Sequence, residues 1–205
     1  MESENKNFWG KYNKLISVAV MVFLVVFGSA MRNTNNKSQQ EKYNQHLNEY
    51  YQDIDNARAN WKLGDYEKTI SDAEEALKIS KTDDEKSGAH YWKGVGLYKQ
   101  KNLIEAKQEE ELAIKLSPES VGPYVTMSTI LADQNDLVKA EEFAKKAISI
   151  DQSYPWAYNS LALIYIQQGK NDLGILELEK AVKLDPVTFG PQLESVKEFL
   201  ASQNR

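Results

Sequence analysis

Two acidic triplets and two histidines are the side chains of this sequence that could hold a metal ion or transfer protons. They are Glu109 to Glu111, Asp83 to Glu85, His46 and His90. Carboxylates that bind calcium alternate along a loop in a fixed pattern, and consecutive acids lack that spacing. Each histidine stands alone, without a second histidine or an acid at ligand spacing. The sequence therefore predicts no metal site.

Catalytic motifs are also absent from the sequence. It has no cysteine, which excludes disulfides, thiol catalysis and thiolate metal sites. It has no Gly-rich phosphate loop, no Gly-x-Ser-x-Gly and no dinucleotide-binding fingerprint. The net charge is −5, and lysine and arginine are spread along the chain rather than clustered on one segment. We therefore expect no enzyme activity, cofactor, small-molecule substrate or nucleic-acid partner.

The N-terminal part of the chain is not globular. After a polar tail over residues 1–14, the 17 residues Leu15–Met31 carry no charge. As a helix this run spans roughly 26 Å, the short end of what crosses a bilayer. The run is longer than the apolar part of most signal peptides. It therefore predicts an uncleaved transmembrane anchor, with a signal peptide cleaved near Ala30 as the alternative.

Basic residues on the two sides of this run set the expected orientation. Three lysines precede it, and one arginine and two lysines follow it. The free amino terminus adds to the first side, so the positive-inside rule slightly favours an N-terminus in the cytoplasm. The bulk of the chain is then expected on the non-cytoplasmic side of the membrane. Residues 32–49 are polar and are predicted to be a partly helical linker.

From residue 50 the chain repeats a pattern of two amphipathic helices joined by a tight turn. Four units follow from shared offsets, and three residues are inserted after the first. They cover residues 50–83, 87–120, 121–154 and 155–188. Gly, Asn or Asp stands in each turn, where such residues suit a helix end and the next N-cap. No β-strand periodicity competes, so the predicted fold class is all-α.

The small residues of these units recur with a period of 34. The rows are Ala57, Gly94, Ser128 and Ala162; Thr69, Ala106, Ala140 and Gly174; and Ala76, Ala113, Ala147 and Ala181. Large residues fill the positions between them: Leu97, Leu131 and Tyr165, then Ile79, Leu116, Ile150 and Leu184. A small residue lets two helix backbones approach, and each unit buries its apolar face only against its neighbours.

This pattern resembles the tetratricopeptide repeat over about two-thirds of the chain. The resemblance implies an α-solenoid in a right-handed superhelix. The apolar helix at residues 190–205, with Pro191 expected at its first position, is predicted to cap the last repeat. Glu110 departs from the pattern, because the family prefers a bulky or apolar residue there. We expect the second repeat to pack loosely or to turn that side outward.

The resemblance also implies that the first helix of each repeat lines a concave groove. The projected lining is Tyr51, Ile54, Arg58 and Trp61; Tyr91, Trp92, Val95 and Tyr98; Val125, Thr126, Thr129 and Ala132; and Trp156, Asn159, Ser160, Leu163 and Ile166. The residues predicted to bind a partner are Tyr51, Arg58, Trp61, Tyr91, Trp92, Tyr98, Trp156, Asn159 and Leu163. Such a surface suits an apolar or aromatic-bearing peptide or helix. The alternative is that the rings only fill contacts between neighbouring first helices.

One function of the family can be tested against individual positions. Cochaperone members hold a C-terminal carboxylate with lysine, asparagine and arginine side chains on three successive first helices. The corresponding positions here are Ile54, Arg58, Trp92, Gly122 and Thr126. They lack the basic pair and the asparagines. The sequence therefore predicts a membrane-tethered protein-interaction module acting as an adaptor or assembly factor, with a cochaperone using a non-standard site as the alternative.

Overall fold

The structure, a computed structural model, describes residues 36–203, and every regular element within them is an α-helix. Helix α1 covers residues 36–63. The others are α2 Tyr66–Ile79, α3 Asp83–Lys99, α4 Leu103–Leu116, α5 Val121–Asp133, α6 Leu137–Ile150, α7 Pro155–Gln167, α8 Asn171–Leu184 and α9 Pro186–Gln203. The prediction of an all-helical solenoid is confirmed for the described residues.

The chain divides into two units between residues 48 and 49, and their described parts are residues 36–48 and 49–203. The described part of the first unit, residues 36–48, is helical and mostly exposed. Its side chains bond along the helix, as where Gln40 Nε2 donates to Asn44 Oδ1 at 3.0 Å. The predicted anchor Leu15–Met31 lies outside the described residues. Between residues 36 and 203, no helix combines the length and apolar character needed to span a bilayer.

In the second unit each helix from α2 onward packs against the next one in the chain. The first helices of successive repeats, α3, α5 and α7, also pack against each other. Alanines at the predicted close contacts have no exposed surface, among them Ala57, Ala106, Ala147 and Ala181. Their small side chains let the helices approach closely, so the core is a row of thin layers between helix pairs.

The turn inside each repeat contains one residue in the left-handed backbone region. These residues are Gly64, Lys101, Asn135 and Gly169, with φ between 63° and 79°. Glycine adopts this conformation without strain and asparagine tolerates it, so each first helix ends sharply there. Asp65 and Asp136 then cap the second helices by accepting from the backbone N–H groups of Lys68 and Lys139.

Helix α9 begins at Pro186, before the predicted start at residue 190, and Pro191 lies inside it rather than at its first position. The Asp185 side chain accepts from the Thr188 N–H at 3.0 Å, so it caps the helix, and proline suits the position that follows a cap. Phe189 on α9 is completely buried in a cluster with residues of α7 and α8. The packing of α9 against α8 covers the apolar side of the last repeat.

Candidate protein-binding site

Five aromatic residues from different repeats form one continuous set of ring contacts, which we call the ring cluster. They are Trp61 on α1, Tyr91 and Trp92 on α3, Trp156 on α7 and Phe189 on α9. The ring centroid of Trp61 lies 6.2 Å from that of Trp92 and 6.5 Å from that of Trp156. Tyr91 lies 5.2 Å from Trp92, and Trp156 lies 4.9 Å from Phe189. Most of these contacts are edge-to-face, the arrangement that aromatic rings favour.

The ring cluster is buried at one end and open at the other. Phe189 is fully buried, Trp61 and Trp92 are half-buried, and Trp156 is 38% exposed. The indole N–H of Trp61 is buried, and no hydrogen-bond acceptor meets it among the described residues. A tryptophan usually satisfies this donor when it is buried. The cluster therefore combines an exposed aromatic surface with one unused donor.

Two cations lie beside these rings. The Arg58 guanidinium carbon is 5.7 Å from the centre of the Trp92 ring, and Lys99 Nζ is 6.0 Å from that of Trp61. Arg58 also pairs with Asp55 at 3.2 Å, but both side chains are more than half exposed. An exposed pair of this kind contributes little and exchanges readily with water. Arg58 and Lys99 therefore place two exposed cationic donors beside the rings.

Tyr91 anchors the ring cluster to the protein interior. Its side chain is half-buried and lies beside that of Tyr154. Burial is the main reason that the pKa of Tyr91 lies well above its usual value, and the neighbouring Tyr154 and Glu110 add to the shift. The ring packs on Gly122, where an added Cβ would lie 2.8 Å from a ring carbon. This side chain therefore supports the fold as well as the surface.

The remaining predicted site residues have separate environments. Tyr98 donates its hydroxyl to Asp133 at 3.0 Å, and burial together with this bond raises the pKa of Tyr98 to about 12. Asn159 is buried and accepts from Gln192 Nε2 at 2.8 Å. Tyr51 is 57% exposed and Leu163 is 43% exposed.

Several positions projected onto the groove are buried in the structure. They are Ile54, Val95, Thr126, Ala132 and Ser160, each with at most 9% of its surface exposed. Ile54 packs in a cluster with Ala76 and Ala89, and Ser160 shares a 2.5 Å hydrogen bond with Ser128. These side chains fill contacts between helices.

Phe189 belongs to the ring cluster but was missed in the sequence. Its position follows Trp156 by the same spacing, 33 residues, that separates the bonded pair Asn159 and Gln192. Helix α9 therefore packs on the first helix of the last repeat through both pairs. The apolar positions considered in the sequence began at Leu193, so Phe189 was not among them.

Two of the candidate acid–base residues, His90 and Glu109, contact each other, and Glu109 also pairs with Lys93. His90 Nδ1 lies 2.6 Å from Glu109 Oε2, and Lys93 Nζ lies 3.0 Å from Glu109 Oε1. Burial acts to raise the pKa of Glu109, but the bonds from His90 and Lys93 hold it below its usual value. In the stretch that the structure describes, no group of three or more His, Cys, Asp or Glu side chains could hold a metal ion.

Comparison with known proteins supports the repeat assignment. The family model for the tetratricopeptide repeat matches residues 121–154 and 157–188, which are the third and fourth repeats. No curated protein matches the chain. The evidence for the rest of the solenoid therefore comes from its structure.

Solved structures of tetratricopeptide-repeat proteins are similar to this chain in fold. TTC0263 of Thermus thermophilus is 20% identical with a TM-score of 0.63, over 72% of this chain and 78% of that one. MamA is 19% identical with a TM-score of 0.52, over 67% and 78%. The first such domain of Spaghetti (RPAP3), solved with the HSP90 peptide SRMEEVD, is 20% identical with a TM-score of 0.52, over 58% and 97%. At these identities the likeness shows a shared tetratricopeptide-repeat fold.

Proposed function

We propose that this protein is a membrane-tethered protein-interaction module, an adaptor or assembly factor that binds a peptide or helix of a partner on the ring cluster. Proteins of this fold are generally non-enzymatic scaffolds. The observation that carries the proposal is the open end of the cluster at Trp156, which remains 38% exposed although its ring contacts two others. Large aromatic side chains of this kind are the usual anchors of protein interfaces.

The polar groups around the cluster indicate what the partner contributes. Arg58 and Lys99 are exposed donors, and Asp55, the carboxylate that pairs with Arg58, is itself more than half exposed. A bound segment therefore supplies an apolar or aromatic side chain to the rings. Backbone carbonyls of the same segment accept from the surrounding donors.

A cochaperone role is the second candidate, because the Spaghetti domain that shares this fold was solved with an HSP90 peptide. The positions that would form a carboxylate clamp argue for a different site in this chain. Ile54, Gly122 and Thr126 are buried there and carry no charge. Any cochaperone activity would therefore use the ring cluster and Arg58.

Site-specific photo-crosslinking in the full-length protein tests the proposed surface. We expect p-benzoylphenylalanine at Leu163, which lies exposed on the first helix α7, to form an adduct with the partner. The matched control places it at Val138, which is 69% exposed on the second helix α6. Adducts formed only from position 138, or equally from both, would contradict binding on the first-helix side.

The membrane tether in this proposal is the apolar run Leu15–Met31. We expect the full-length protein to remain in the membrane pellet after alkaline carbonate extraction, since an uncharged helix of this length is stable in hydrocarbon. Immunoblotting of pellet and supernatant measures the result. A soluble product whose N-terminus lies near Met31 would identify a cleaved signal peptide instead.

A further inference from the structure

Glu110 on α4 is the most unusual buried side chain of the repeats. It has no exposed surface, although charged residues are rarely buried without a partner. The equivalent positions of the other three repeats hold Ala73, Ala144 and Leu178, which are also completely buried. Of the two expectations for this position, loose packing or an outward-facing side, the second is therefore wrong. The carboxyl group occupies a place in the core that is apolar elsewhere.

The crevice that admits Glu110 is provided by a glycine on α3. A Cβ added at Gly94 would lie 2.5 Å from Glu110 Oε1 and 2.9 Å from Cδ. The carboxyl group therefore lies directly against the backbone of α3. Neither carboxyl oxygen meets a hydrogen-bond partner among residues 36–203.

The groups facing Glu110 from α3 and from its own helix do not compensate a negative charge. Tyr91 lies near it on α3 and is a neutral group beside Tyr154. The neighbouring Glu109 is itself an acid, and its carboxyl oxygens contact His90 and the cation of Lys93. Burial raises the pKa of the Glu110 carboxyl well above its usual value, and Glu109 adds to this effect.

Helix α5, which also packs against α4, brings no cation to Glu110. The Thr126 hydroxyl lies close enough to act against the rise in the Glu110 pKa, but it donates to the Gly122 carbonyl at 3.4 Å, and a neutral hydroxyl is not a counterion. The Tyr124 hydroxyl donates to the Pro118 carbonyl, and the charged residue of α5, Asp133, accepts from Tyr98. An ionised Glu110 would thus be a buried charge without a counterion, which is among the costliest arrangements in a protein.

We propose that Glu110 makes the joint between the second and third repeats proton-dependent. The neutral carboxylic acid fits the crevice at Gly94 and lets α3, α4 and α5 pack together. Loss of its proton leaves a charge that only water can stabilise, so the joint opens to hydrate it. Because Tyr91 of the ring cluster packs from α3 on Gly122 of α5, this opening also loosens the support of the candidate binding surface.

The sign of the pH dependence follows from the raised pKa. At pH values below the usual glutamate pKa, Glu110 carries its proton in both the folded and the unfolded chain. It then makes almost no contribution to the pH dependence of the folding equilibrium. As the pH rises, the unfolded chain releases the proton while the folded chain keeps it, so folding becomes less favourable. The folding equilibrium constant then falls by up to about tenfold per pH unit, until the pH reaches the folded-state pKa.

Chemical unfolding of the full-length protein between pH 4 and 8 tests the proposal. We expect Glu110→Gln, which has the same shape and no charge, to come close to the wild type near pH 4, where the unfolded chain still largely keeps this proton. Its folding equilibrium constant relative to the wild type should then increase with each pH unit. The control Glu111→Gln removes the same charge from an exposed neighbour and should leave the pH profile of the wild type unchanged. A constant ratio for Glu110→Gln, or the same rise in the control, would overturn the proposal.

Hydrogen exchange distinguishes local opening of the joint from general destabilisation. After correction for the intrinsic exchange rates, amides of α3, α4 and α5 should lose protection in the wild type as the pH rises and should keep it in Glu110→Gln. Amides of α8 and α9, which pack away from this joint, should change much less. An equal loss of protection across α8 and α9 would contradict a local joint.

Discussion

Replacing Phe189 with alanine should destabilise the repeats by about 3–5 kcal/mol, the usual cost of removing a fully buried aromatic side chain. Phe189 is the largest side chain with no exposed surface in the described residues. It packs with Ala162, Leu178 and Ala181, and its ring also contacts Trp156. The substitution would leave a cavity where α9 meets both helices of the last repeat.

A second phenylalanine of the same helix provides the control. Phe199 is 56% exposed, so Phe199→Ala should change the unfolding free energy by no more than about 0.5 kcal/mol. Urea unfolding of both variants, followed by circular dichroism, gives the comparison. Equal stability losses in the two variants, or an unchanged midpoint in Phe189→Ala, would mean that α9 does not close the hydrophobic core of the last repeat.

The repeats could be predicted from the sequence because their stabilising contacts lie within one unit or between adjacent units. Small residues at a fixed period mark where helices touch, and Ala106 and Ala140 are indeed buried completely. The turn residues also carry their own conformational signal, as Gly64 and Gly169 have positive φ. Each unit packs only against its neighbours, so the residue pattern of two adjacent units is enough to predict their helices.

The position of Glu110 was not predictable in the same way. Charge predicts exposure, and nothing in the sequence indicates that Gly94 leaves room for a carboxyl group. Gly94 follows the repeat pattern, and Glu110 departs from it in a way that an exposed side chain would also explain. Only their contact across α3 and α4 turns a departure from the repeat pattern into a buried acid.

The sequence predicts which residues belong to the candidate site, but it does not predict which of them contact each other. The repeat register identifies Trp61, Trp92 and Trp156 as first-helix residues. It does not predict that Trp61 and Trp156, from the first and fourth repeats, lie 6.5 Å apart. That distance depends on small rotations accumulated from one repeat to the next, and the side-chain pattern of a single unit does not specify them.

Alanine substitutions of Trp92 and Trp156 should therefore differ in how much stability they cost. Trp92 packs against the buried cluster of Tyr50, Ile54 and Ala89, so Trp92→Ala should cost about 3 kcal/mol of stability. Trp156 loses two ring contacts but is 38% exposed. We expect Trp156→Ala to cost only about 1 kcal/mol of stability, the scale of an aromatic pair.

For partner binding we expect the opposite order: among folded molecules, Trp156→Ala should weaken binding more than Trp92→Ala does. If the exposed ring of Trp156 is an anchor, Trp156→Ala should weaken partner binding by about 2 kcal/mol or more, roughly a thirtyfold higher Kd. Calorimetric titration with the partner captured by cross-linking, at a temperature where both variants are folded, measures this. A Trp156→Ala variant that binds normally while folded would remove the ring cluster as the binding surface. The exposed faces of the second helices would then be the next candidate binding surface, because the apolar side chains of Val138 and Leu176 are exposed there.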